Sequence, residues 1–486
     1  METMDVPLLA PVGHPDAVAL TDGTTSLTYA ELVRRSAALA AALADAGLRT
    51  GDRVATLGAN SIAQVVLFHA CARAGLVLAP LSWRAAPSEL AAMLEDADPA
   101  LLVADLQHQD LAARAAALLD RAPTPALMGP GGLEHEVPRV RPTGASGAET
   151  GDAVLLLYTS GSSGRPKGVL LGRSACRATT EALAARFPLT AEDVVLLVLP
   201  QFHVAAWNVQ TLQALGVGAR VVVVPDFDAG TVLALLQRER VTAMMGVPTT
   251  YQMLAEHPAF PSCDLSRLRL AVVGGAPVDH RLSEAWGHHG VRIWAGYGLT
   301  EAGPNVLCEP PSATAPTGWL EPYPGVSVRL DERGQLLVRS PGLFHGYWRD
   351  PTATARAFVD GWLATGDLAD ERDGRFRLRG RSSEKYITGG ENVHPAEVER
   401  ALRLLDAVAE AAVVGVPDER WGEAGLAFVV PAPGHDPRPE QLRRELREHL
   451  AGFKVPRDIV VVPSLPQTAT GKIDKRSLRA QAEEQQ

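Results

Sequence analysis

Cysteine is scarce in this sequence, with four residues in 486. Cys71, Cys176, Cys263 and Cys308 lie far apart and form no CxxC pair. This spacing argues against a disulfide framework and against a metal site built from thiolates. We therefore expect four reduced thiols, most of them buried.

Long apolar runs and an excess of positive charge are also missing. The longest apolar runs, such as residues 194–200 and 221–225, are far shorter than the ~20 residues that cross a bilayer. The net charge is −10 without a basic cluster, which disfavours nucleic-acid binding and leaves small molecules as the expected partners. The first residues do not join a basic stretch to an apolar one, so the expected location is the cytoplasm.

The chain is long enough for roughly three domain-sized units, and its first part alternates helical and strand patterns. Thr28 and Glu31 are spaced as a capping box for a helix over residues 29–46. The alternation predicts an α/β fold in which helices cover a mostly parallel sheet. Other predicted elements are a helix at 62–74 and strands at 54–57, 76–81, 154–158, 194–199, 220–224, 243–247 and 270–273.

Two stretches of the chain depart from this alternation of helices and strands. Residues 122–149 are rich in Pro, Gly and Ala and are predicted to form a surface connector. After Gly318, short polar strands separated by glycine turns indicate a β-rich subdomain that closes the large lobe. These strands are predicted at 326–330, 335–338 and 375–379.

A small α+β domain is predicted from about residue 381 onward, within the usual size range of domains. Pro395 is well placed to begin a helix. The helix is predicted to bury Val398, Ala401, Leu402 and Leu405, and to point Glu397, Glu399 and Arg400 away. Strands at 413–416 and 426–430 follow, and then a charged helix with Leu442, Leu446 and Leu450 on one face.

The strongest local motif is Tyr-Thr-Ser-Gly-Ser-Ser-Gly-Arg-Pro-Lys-Gly at residues 158–168. Glycines and hydroxyl residues directly after an apolar strand make a loop whose backbone N–H groups can approach a phosphate closely. A flexible linker is the alternative, but linkers rarely follow a buried strand. It is not a Walker loop, because Pro166 and Gly168 replace the required glycine and Ser/Thr. The predicted phosphate-binding residues are Thr159, Ser160, Gly161, Ser162, Ser163, Gly164 and Lys167.

This segment resembles the phosphate loop of the adenylate-forming superfamily, which includes acyl-CoA synthetases, adenylation domains of peptide synthetases, and luciferases. Further motifs follow in the family's order: GYGLTE at 296–301, TGD at 365–367, GR at 380–381, GGENV at 389–393 and TGKIDK at 470–475. The resemblance covers nearly the whole chain and is closest to AMP-forming acyl- or aryl-CoA ligases. It implies a large amino-terminal lobe (1–380), a hinge (381–384) and a small mobile carboxy-terminal domain (385–486).

The resemblance also implies a nucleotide site. Tyr297 would stack on adenine, although a core tyrosine is the alternative. Thr300 would donate to a phosphate, and Glu301 would bind the Mg²⁺ that accompanies ATP unless it is a surface glutamate. Asp367 would accept the ribose hydroxyls, and Arg381 would reach ribose or phosphate. The remaining residues implied for ATP or AMP are Gly275, Ala276, Pro277, Gly296 and Gly298.

Lys472 is implied as the catalytic cation of the adenylation step, where it would stabilise charge that develops as pyrophosphate leaves. The small domain would then rotate about Glu384, where relatives carry Lys-Asp and this chain has Ser383-Glu384. Rotation would withdraw Lys472 and complete a thiol tunnel. The residues implied for coenzyme A are Gly389, Gly390, Trp421, Phe453 and Lys454.

The acid pocket implied by family position is largely apolar. His203 would lie near the carboxylate, although a buried structural histidine is the alternative. No Arg or Lys occurs at the pocket positions, which disfavours a dicarboxylic acid and favours an apolar aliphatic or aromatic one. These positions are His203, Val204, Trp207, Met245, Val247, Gly274 and Gly298.

The resulting functional hypothesis is an ATP- and Mg²⁺-dependent, AMP-forming acid ligase that makes an acyl-adenylate and transfers the acyl group to coenzyme A. The segment GFKVP at 452–456 resembles the one that precedes the catalytic lysine in CoA ligases. Alternatives are loading of a carrier protein, luciferase-like oxidation, nucleotide binding without chemistry, and an unusual substrate such as an inorganic oxyacid. A monomer or homodimer is expected.

Overall fold

The computed structural model describes residues 14–129, 132–133, 137–140, 150–160, 166–275, 278, 280–313, 317–381, 384–388, 391–418, 421–468 and 472–484. The chain divides into two compact units. The amino-terminal unit comprises residues 1–328 and 338–363, and the carboxy-terminal unit comprises residues 329–337 and 364–486. The hinge at 381–384 stays a prediction.

The central strands of the first sheet of the amino-terminal unit are parallel to one another, and the strands at both edges are antiparallel to their neighbours. Parallel strands buried on both faces read as short apolar runs, which is why the sequence predicts them well. In spatial order they are β15 (Glu321–Pro322), β14 (Leu307–Cys308), β13 (Ile293–Tyr297), β12 (Leu270–Val273), β11 (Ala243–Gly246), β9 (Val194–Leu197), β10 (Arg220–Val223), β1 (Val18–Thr21) and β2 (Ser26–Thr28).

The second sheet contains the strand before the glycine-rich loop. Its order is β18 (Gly346–Tyr347), β8 (Pro166–Gly172), β7 (Ala153–Ser160), β4 (Val77–Leu81), β3 (Arg53–Leu57), β5 (Leu101–Asp105) and β6 (Thr124–Met128). Strand β6 corrects one prediction: part of the expected connector at 122–149 is an ordered strand. Strand β6 pairs in parallel with β5 over its whole length, although the Pro, Gly and Ala content of residues 122–149 predicts a loop.

Helices cover these sheets, and α1 confirms the predicted capping box, in which Thr28 Oγ1 accepts from Glu31 N and Glu31 accepts from Thr28 N. The helices are α1 (Tyr29–Asp45), α2 (Ile62–Ala74), α3 (Pro87–Ala97), α4 (Gln109–Ala116), α5 (Arg173–Arg186), α6 (Leu212–Gly216), α7 (Ala229–Arg238), α8 (Pro248–Glu256), α9 (His280–Gly287) and α10 (Pro351–Arg356). A π-helix spans Ala206–Thr211, and 3₁₀ turns span Phe260–Ser262 and Thr300–Ala302.

A small sheet confirms the predicted change of pattern after Gly318. Its order is β16 (Ser327–Leu330), β17 (Gln335–Arg339), β20 (Trp362–Arg372) and β19 (Phe358–Val359), and β21 (Arg375–Arg381) also pairs with β20. The register of β20 and β21 places Asp367 opposite Arg381.

The part of the carboxy-terminal unit after residue 384 contains a sheet with helices on both faces. Its order is β23 (Glu391–Val393), β22 (Tyr386–Thr388), β25 (Gly422–Pro431) and β24 (Val408–Asp418), and β26 (Asp458–Val461) also pairs with β25. Helices α11 (Pro395–Arg403) and α12 (Pro439–His449) pack on one core, and α13 (Lys475–Glu484) packs on a second one. A 3₁₀ turn spans Gly452–Lys454.

Helix α11 begins at Pro395 and buries Val398 and Leu402, as predicted. The prediction that Glu399 points away from the core is wrong. Glu399 is 8% exposed, and its Oε1 accepts from the backbone N–H of Val413 at 2.9 Å. Because β24 covers this side of α11, the buried face is wider than the apolar residues alone indicate.

The four cysteines are free and buried, which confirms that prediction. Across the described residues, every helix is too short or too polar to cross a membrane.

Candidate functional site

Three strands of the first sheet end side by side and carry much of the predicted site. The register pairs Gly246 with Val273 and Val273 with Ala295, and Gly274 N donates to Gly246 O at 3.1 Å. Ligands of open α/β sheets bind at the carboxyl ends of parallel strands. This edge therefore brings together the predicted residues Met245, Val247, Gly274, Gly275, Gly296, Tyr297 and Gly298.

Two glycines at this edge have close neighbours. A Cβ at Gly298 would overlap the backbone carbonyl of Pro304, so no larger residue fits there. A Cβ at Gly274 would lie 2.8 Å from Met245 Cε, so the missing side chain leaves room for Met245. The contact at Gly298 thus explains why glycine occurs there, and the predicted binding roles of both glycines stay predictions.

The predicted acid-pocket residues differ in exposure. Val247 is 38% exposed and His203 and Met245 are partly exposed, whereas Val204 and Trp207 are buried. The Trp207 ring stacks on Phe68 with centroids 4.9 Å apart, and its Nε1–H donates to the backbone carbonyl of the loop before it. These two contacts therefore hold the Trp207 side chain in the core.

The loop that carries His203 is fixed by a residue that the sequence did not identify. Asn60 Oδ1 accepts from Gln201 N at 2.8 Å, and Asn60 Nδ2 donates to the carbonyls of Leu199 and Val224. Asn60 and Gln201 are both buried. One amide side chain thus joins the ends of β9 and β10 to the His203 loop.

Thr300 and Glu301 lie in the 3₁₀ turn after β13. Phe344 N donates to the backbone carbonyl of Glu301 at 2.9 Å, and the Tyr347 hydroxyl donates to Glu301 Oε1 at 2.9 Å. The ammonium of Lys167 lies 4.9 Å from the centroid of the Tyr347 ring. Tyr347 was not predicted as a site residue, because no local pattern in the sequence distinguishes it from a core tyrosine.

The β7–β8 hairpin holds Thr159 opposite Lys167, on either side of the predicted phosphate loop. For the predicted site residue Ser160, only the backbone is described. Eight further predicted site residues lie outside the described residues: Gly161, Ser162, Ser163, Gly164, Ala276, Pro277, Gly389 and Gly390.

In the carboxy-terminal unit, the predicted ribose-binding pair is assembled across two strands. Arg381 Nε lies 3.2 Å from Asp367 Oδ1, and Asp367 is 7% exposed. Thr365 Oγ1 accepts from Asp367 N at 3.1 Å and donates to Leu336 O at 2.8 Å. Thr365 therefore holds the backbone of Asp367, and Arg381 pairs with its carboxylate.

Lys472 is exposed and lies in a short turn. Its N–H donates to Thr468 Oγ1 at 3.3 Å, and Thr468 N donates back to Lys472 O at 2.7 Å. Three residues later, Lys475 Nζ contacts Glu384 Oε2 at 2.7 Å and Glu399 Oε1 at 2.8 Å. The predicted pivot Glu384 is thus bonded to the segment that carries Lys472.

The side chains predicted to bind coenzyme A include two exposed aromatic rings. Trp421 is 47% exposed and Phe453 is 43% exposed. The ammonium of Lys454 lies 5.8 Å from the Phe453 ring centroid and 2.6 Å from Glu397 Oε1. The cation therefore already has an anionic partner that a phosphate would have to replace.

A buried histidine lies next to a ring that packs on Trp207, one of the predicted acid-pocket residues. His69 is fully buried on α2, next to the Phe68 ring that stacks on Trp207. Burial, with a smaller contribution from Arg73, lowers the pKa of His69 from 6.5 to about 3. His69 is therefore neutral at physiological pH.

Comparison with known proteins gives concordant matches along the chain. Residues 10–348 match the family model described as AMP-binding enzyme, and residues 397–472 match the AMP-binding enzyme C-terminal domain. A feruloyl-CoA synthase from an Amycolatopsis species is 40% identical over 96% of each chain. A fatty acid–[acyl-carrier-protein] ligase, ScoC of Streptomyces coeruleorubidus, is 34% identical over 95% of this chain and 92% of its own.

A solved structure is similar over almost the whole length. The anthranilate CoA ligase AuaEII in complex with anthranoyl-AMP matches with a TM-score of 0.89 and 27% identity, over 98% of this chain and 96% of that one. The predicted fold class, with a large amino-terminal part and a separate carboxy-terminal domain, is thereby confirmed.

Proposed function

The chain belongs to the family of AMP-binding enzymes and is an AMP-forming acid–thiol ligase that uses ATP, and we propose that it converts an aromatic monocarboxylic acid to its coenzyme A thioester. The observation that carries the proposal is the shared edge at the ends of β11, β12 and β13. This edge places the apolar side chains of Met245 and Val247 beside Gly274 and Gly275, which follow β12. An apolar acid and a nucleotide can bind there side by side.

In the first half-reaction the substrate carboxylate attacks the α-phosphorus of ATP, the bond to the β-phosphate oxygen breaks, and pyrophosphate leaves with the electron pair. Lys472 is proposed to stabilise the charge that develops on this oxygen, since a cation placed there favours the transition state over the ground state. Asp367 would accept the ribose hydroxyls with an oriented carboxylate. Tyr297 would supply an aromatic face to adenine.

Magnesium is proposed to accompany the nucleotide at Glu301. Mg²⁺ typically binds through one or two carboxylates together with substrate phosphates. Among the residues that the structure describes, no group of three or more His, Cys, Asp or Glu could hold a metal alone. A single carboxylate at Glu301, linked through Tyr347 to Lys167, fits a metal that arrives with ATP. The metal would neutralise charge on the phosphates.

In the second half-reaction the thiolate sulfur of coenzyme A attacks the acyl carbonyl, and AMP leaves with the electrons of the mixed-anhydride bond. The exposed rings of Trp421 and Phe453 offer stacking surfaces for adenine or pantetheine, and Lys454 offers charge to a phosphate. The carboxy-terminal domain is proposed to rotate between the half-reactions about residues 381–384, so that it serves both.

The proposal of an aromatic acid rests on the apolar lining and on the names of the relatives. Met245 and Val247 offer no cation to a second carboxylate, and burying an unpaired carboxylate costs several kcal/mol. The 40% identical relative is named for feruloyl-CoA, and the structural neighbour contains anthranoyl-AMP. Both names denote aromatic acyl groups.

The test is pyrophosphate release with each of ferulate, benzoate, hexanoate, palmitate and malonate, with coenzyme A present and absent. We expect aromatic acids to give the highest kcat/KM, malonate to give background, and the acyl-CoA to accumulate only when coenzyme A is added. Preference for an aliphatic acid would contradict the proposed substrate class. Pyrophosphate release at background for every acid would contradict the ligase activity.

A carrier protein is the second candidate acceptor, because the relative ScoC is named as a ligase that acts on an acyl-carrier protein. Competition between coenzyme A and a phosphopantetheinylated carrier protein separates the two. Acylation of the carrier without turnover of free coenzyme A would favour the carrier.

A further inference from the structure

Tyr347 contacts two predicted phosphate-site residues that come from different sheets. Its hydroxyl donates to Glu301 Oε1 at 2.9 Å, and its ring centroid lies 4.9 Å from the ammonium of Lys167. Glu301 follows the last parallel strand of the first sheet, and Lys167 lies on β8 of the second one. One side chain therefore links the residue proposed to bind the metal with the cation beside the phosphate loop.

The backbone of Tyr347 has little freedom. Strand β18 pairs Tyr347 with Val169, and Tyr347 N donates to Thr354 Oγ1 at 2.8 Å. Gly346 has φ +151°, and a Cβ there would lie 2.8 Å from Thr354 Cγ2, so the approach of α10 to β18 requires glycine. The ring is further held by an edge contact with Phe344, whose centroid is 5.0 Å away.

The strand register explains why the ring meets Lys167. Lys167 precedes Val169 by two residues and so projects from the same face of β8. A residue opposite Val169 is a diagonal neighbour of Lys167, within reach of a long or aromatic side chain. The contact follows from the pairing of β8 with β18.

The chemistry of the two contacts suits a site that must stay ready for a triphosphate. The hydroxyl donor fixes one oxygen of Glu301 and leaves Oε2 to face a metal ion. An aromatic face attracts the Lys167 ammonium without neutralising it, whereas a carboxylate in the same place would compete with phosphate. A tyrosine performs both tasks, and phenylalanine performs only the second.

We propose that Tyr347 is a positioning residue that holds Glu301 for the metal and Lys167 for the phosphates of ATP. The inference rests on the proposed nucleotide site, and it assigns Tyr347 no direct role in bond making. Its two contacts act on two separable properties, the metal dependence of adenylation and the affinity for metal-free nucleotide.

The test compares Tyr347→Phe with Tyr347→Leu. Tyr347→Phe loses the hydrogen bond to a charged group, so the Mg²⁺ concentration for half-maximal ATP–pyrophosphate exchange should rise about tenfold. Calorimetry of ATP binding in EDTA should show no change for this variant. Tyr347→Leu also loses the aromatic face, so its metal-free ATP affinity should fall severalfold. Both variants should form thioester from supplied acyl-AMP at the normal rate.

Tyr29→Phe is the matched control, since its buried hydroxyl donates to Ala219 O at 2.7 Å and contacts neither Glu301 nor Lys167. It should change neither the Mg²⁺ dependence nor ATP binding. An unchanged Mg²⁺ requirement in Tyr347→Phe, or equal loss of both half-reactions, would overturn the positioning role. If wild-type protein bound ATP but exchanged no pyrophosphate with any acid, the proposed function would fail, and the EDTA calorimetry would still test the contact with Lys167.

Discussion

Lys475 Nζ lies 2.7 Å from Glu384 Oε2, so a residue three positions after the proposed catalytic lysine is bonded to the proposed pivot. Glu399 Oε1 accepts from the same ammonium at 2.8 Å. Burial by itself lowers the pKa of Lys475, but Glu399 and Glu384 outweigh it and raise the pKa above 10.5. The ammonium is therefore charged at neutral pH, and it ties the Glu384 segment to α11.

We expect Lys475→Met to destabilise the carboxy-terminal unit by about 3 kcal/mol, the low end for breaking a buried ion pair, because it leaves the buried Glu399 without its cation. Hydrogen exchange of the α11 and α13 amides, followed by mass spectrometry, measures this directly. From neutral pH up to 10.5, where Lys475 and its two glutamate partners are all charged, this contribution is present, and it is lost as the pH rises through the higher folded pKa of Lys475.

Lys454→Met is the matched control for this change, because Lys454 also pairs with a glutamate on α11 but the partner Glu397 is more exposed. Such a pair is worth less than about 1 kcal/mol. Adding Glu399→Gln to Lys475→Met should recover part of the loss. Equal protection factors in the two lysine variants would show that the ion cluster contributes no more than a surface pair.

The contrast between α1 and Tyr347 explains how much the sequence predicts. The capping box and apolar face of α1 are local, so they were readable and are confirmed. Tyr347 and Glu301 are 46 residues apart, and Asn60 and Gln201 are 141 apart, so only the assembled sheets bring them together. Glu399 was misjudged for a related reason: a charged residue is expected outside unless a distant partner such as Lys475 compensates its burial.

Asp367 and Asp370 provide a matched pair for testing the ribose assignment. Both lie on β20 and contact arginines of β21, but only Asp367 belongs to the motif associated with nucleotide. Asp367→Asn should raise the KM for ATP about tenfold or more, since a hydrogen bond to a charged group is lost. Asp370→Asn should leave the KM within about twofold, because an exposed ion pair contributes little. Steady-state pyrophosphate release at varied ATP distinguishes them, and equal effects would argue against the assignment.

Lys472→Ala should lower the rate of adenylate formation by about 10² to 10³, the usual effect of removing one preorganised charge-stabilising group. Thioester formation from supplied acyl-AMP should continue at the normal rate. Lys472→Arg is the conservative variant, which keeps the charge but changes its position, and should retain part of the activity. Single-turnover measurement of each half-reaction provides the test, and equal loss of both would contradict two separate orientations of the carboxy-terminal domain.

His69 should make the amino-terminal unit less stable at mildly acidic pH than at neutral pH. Its folded pKa of about 3 lies below the value of 6.5 for an exposed histidine, so the unfolded chain binds a proton that the folded chain excludes. The free energy of unfolding therefore has its full value above pH 6.5 and decreases as the pH falls toward 3. Between pH ~7.5 and pH ~5 the loss from this group should be about 2 kcal/mol.

His69→Leu has similar volume and does not titrate, so urea unfolding of this variant should lose about 2 kcal/mol less than wild type over the same pH interval. His288→Leu, a change at an exposed histidine of the same unit, is the matched control variant. Parallel pH profiles for wild type and His69→Leu would mean that the folded protein admits a proton at His69, through water or local opening beneath the Phe68 and Trp207 rings.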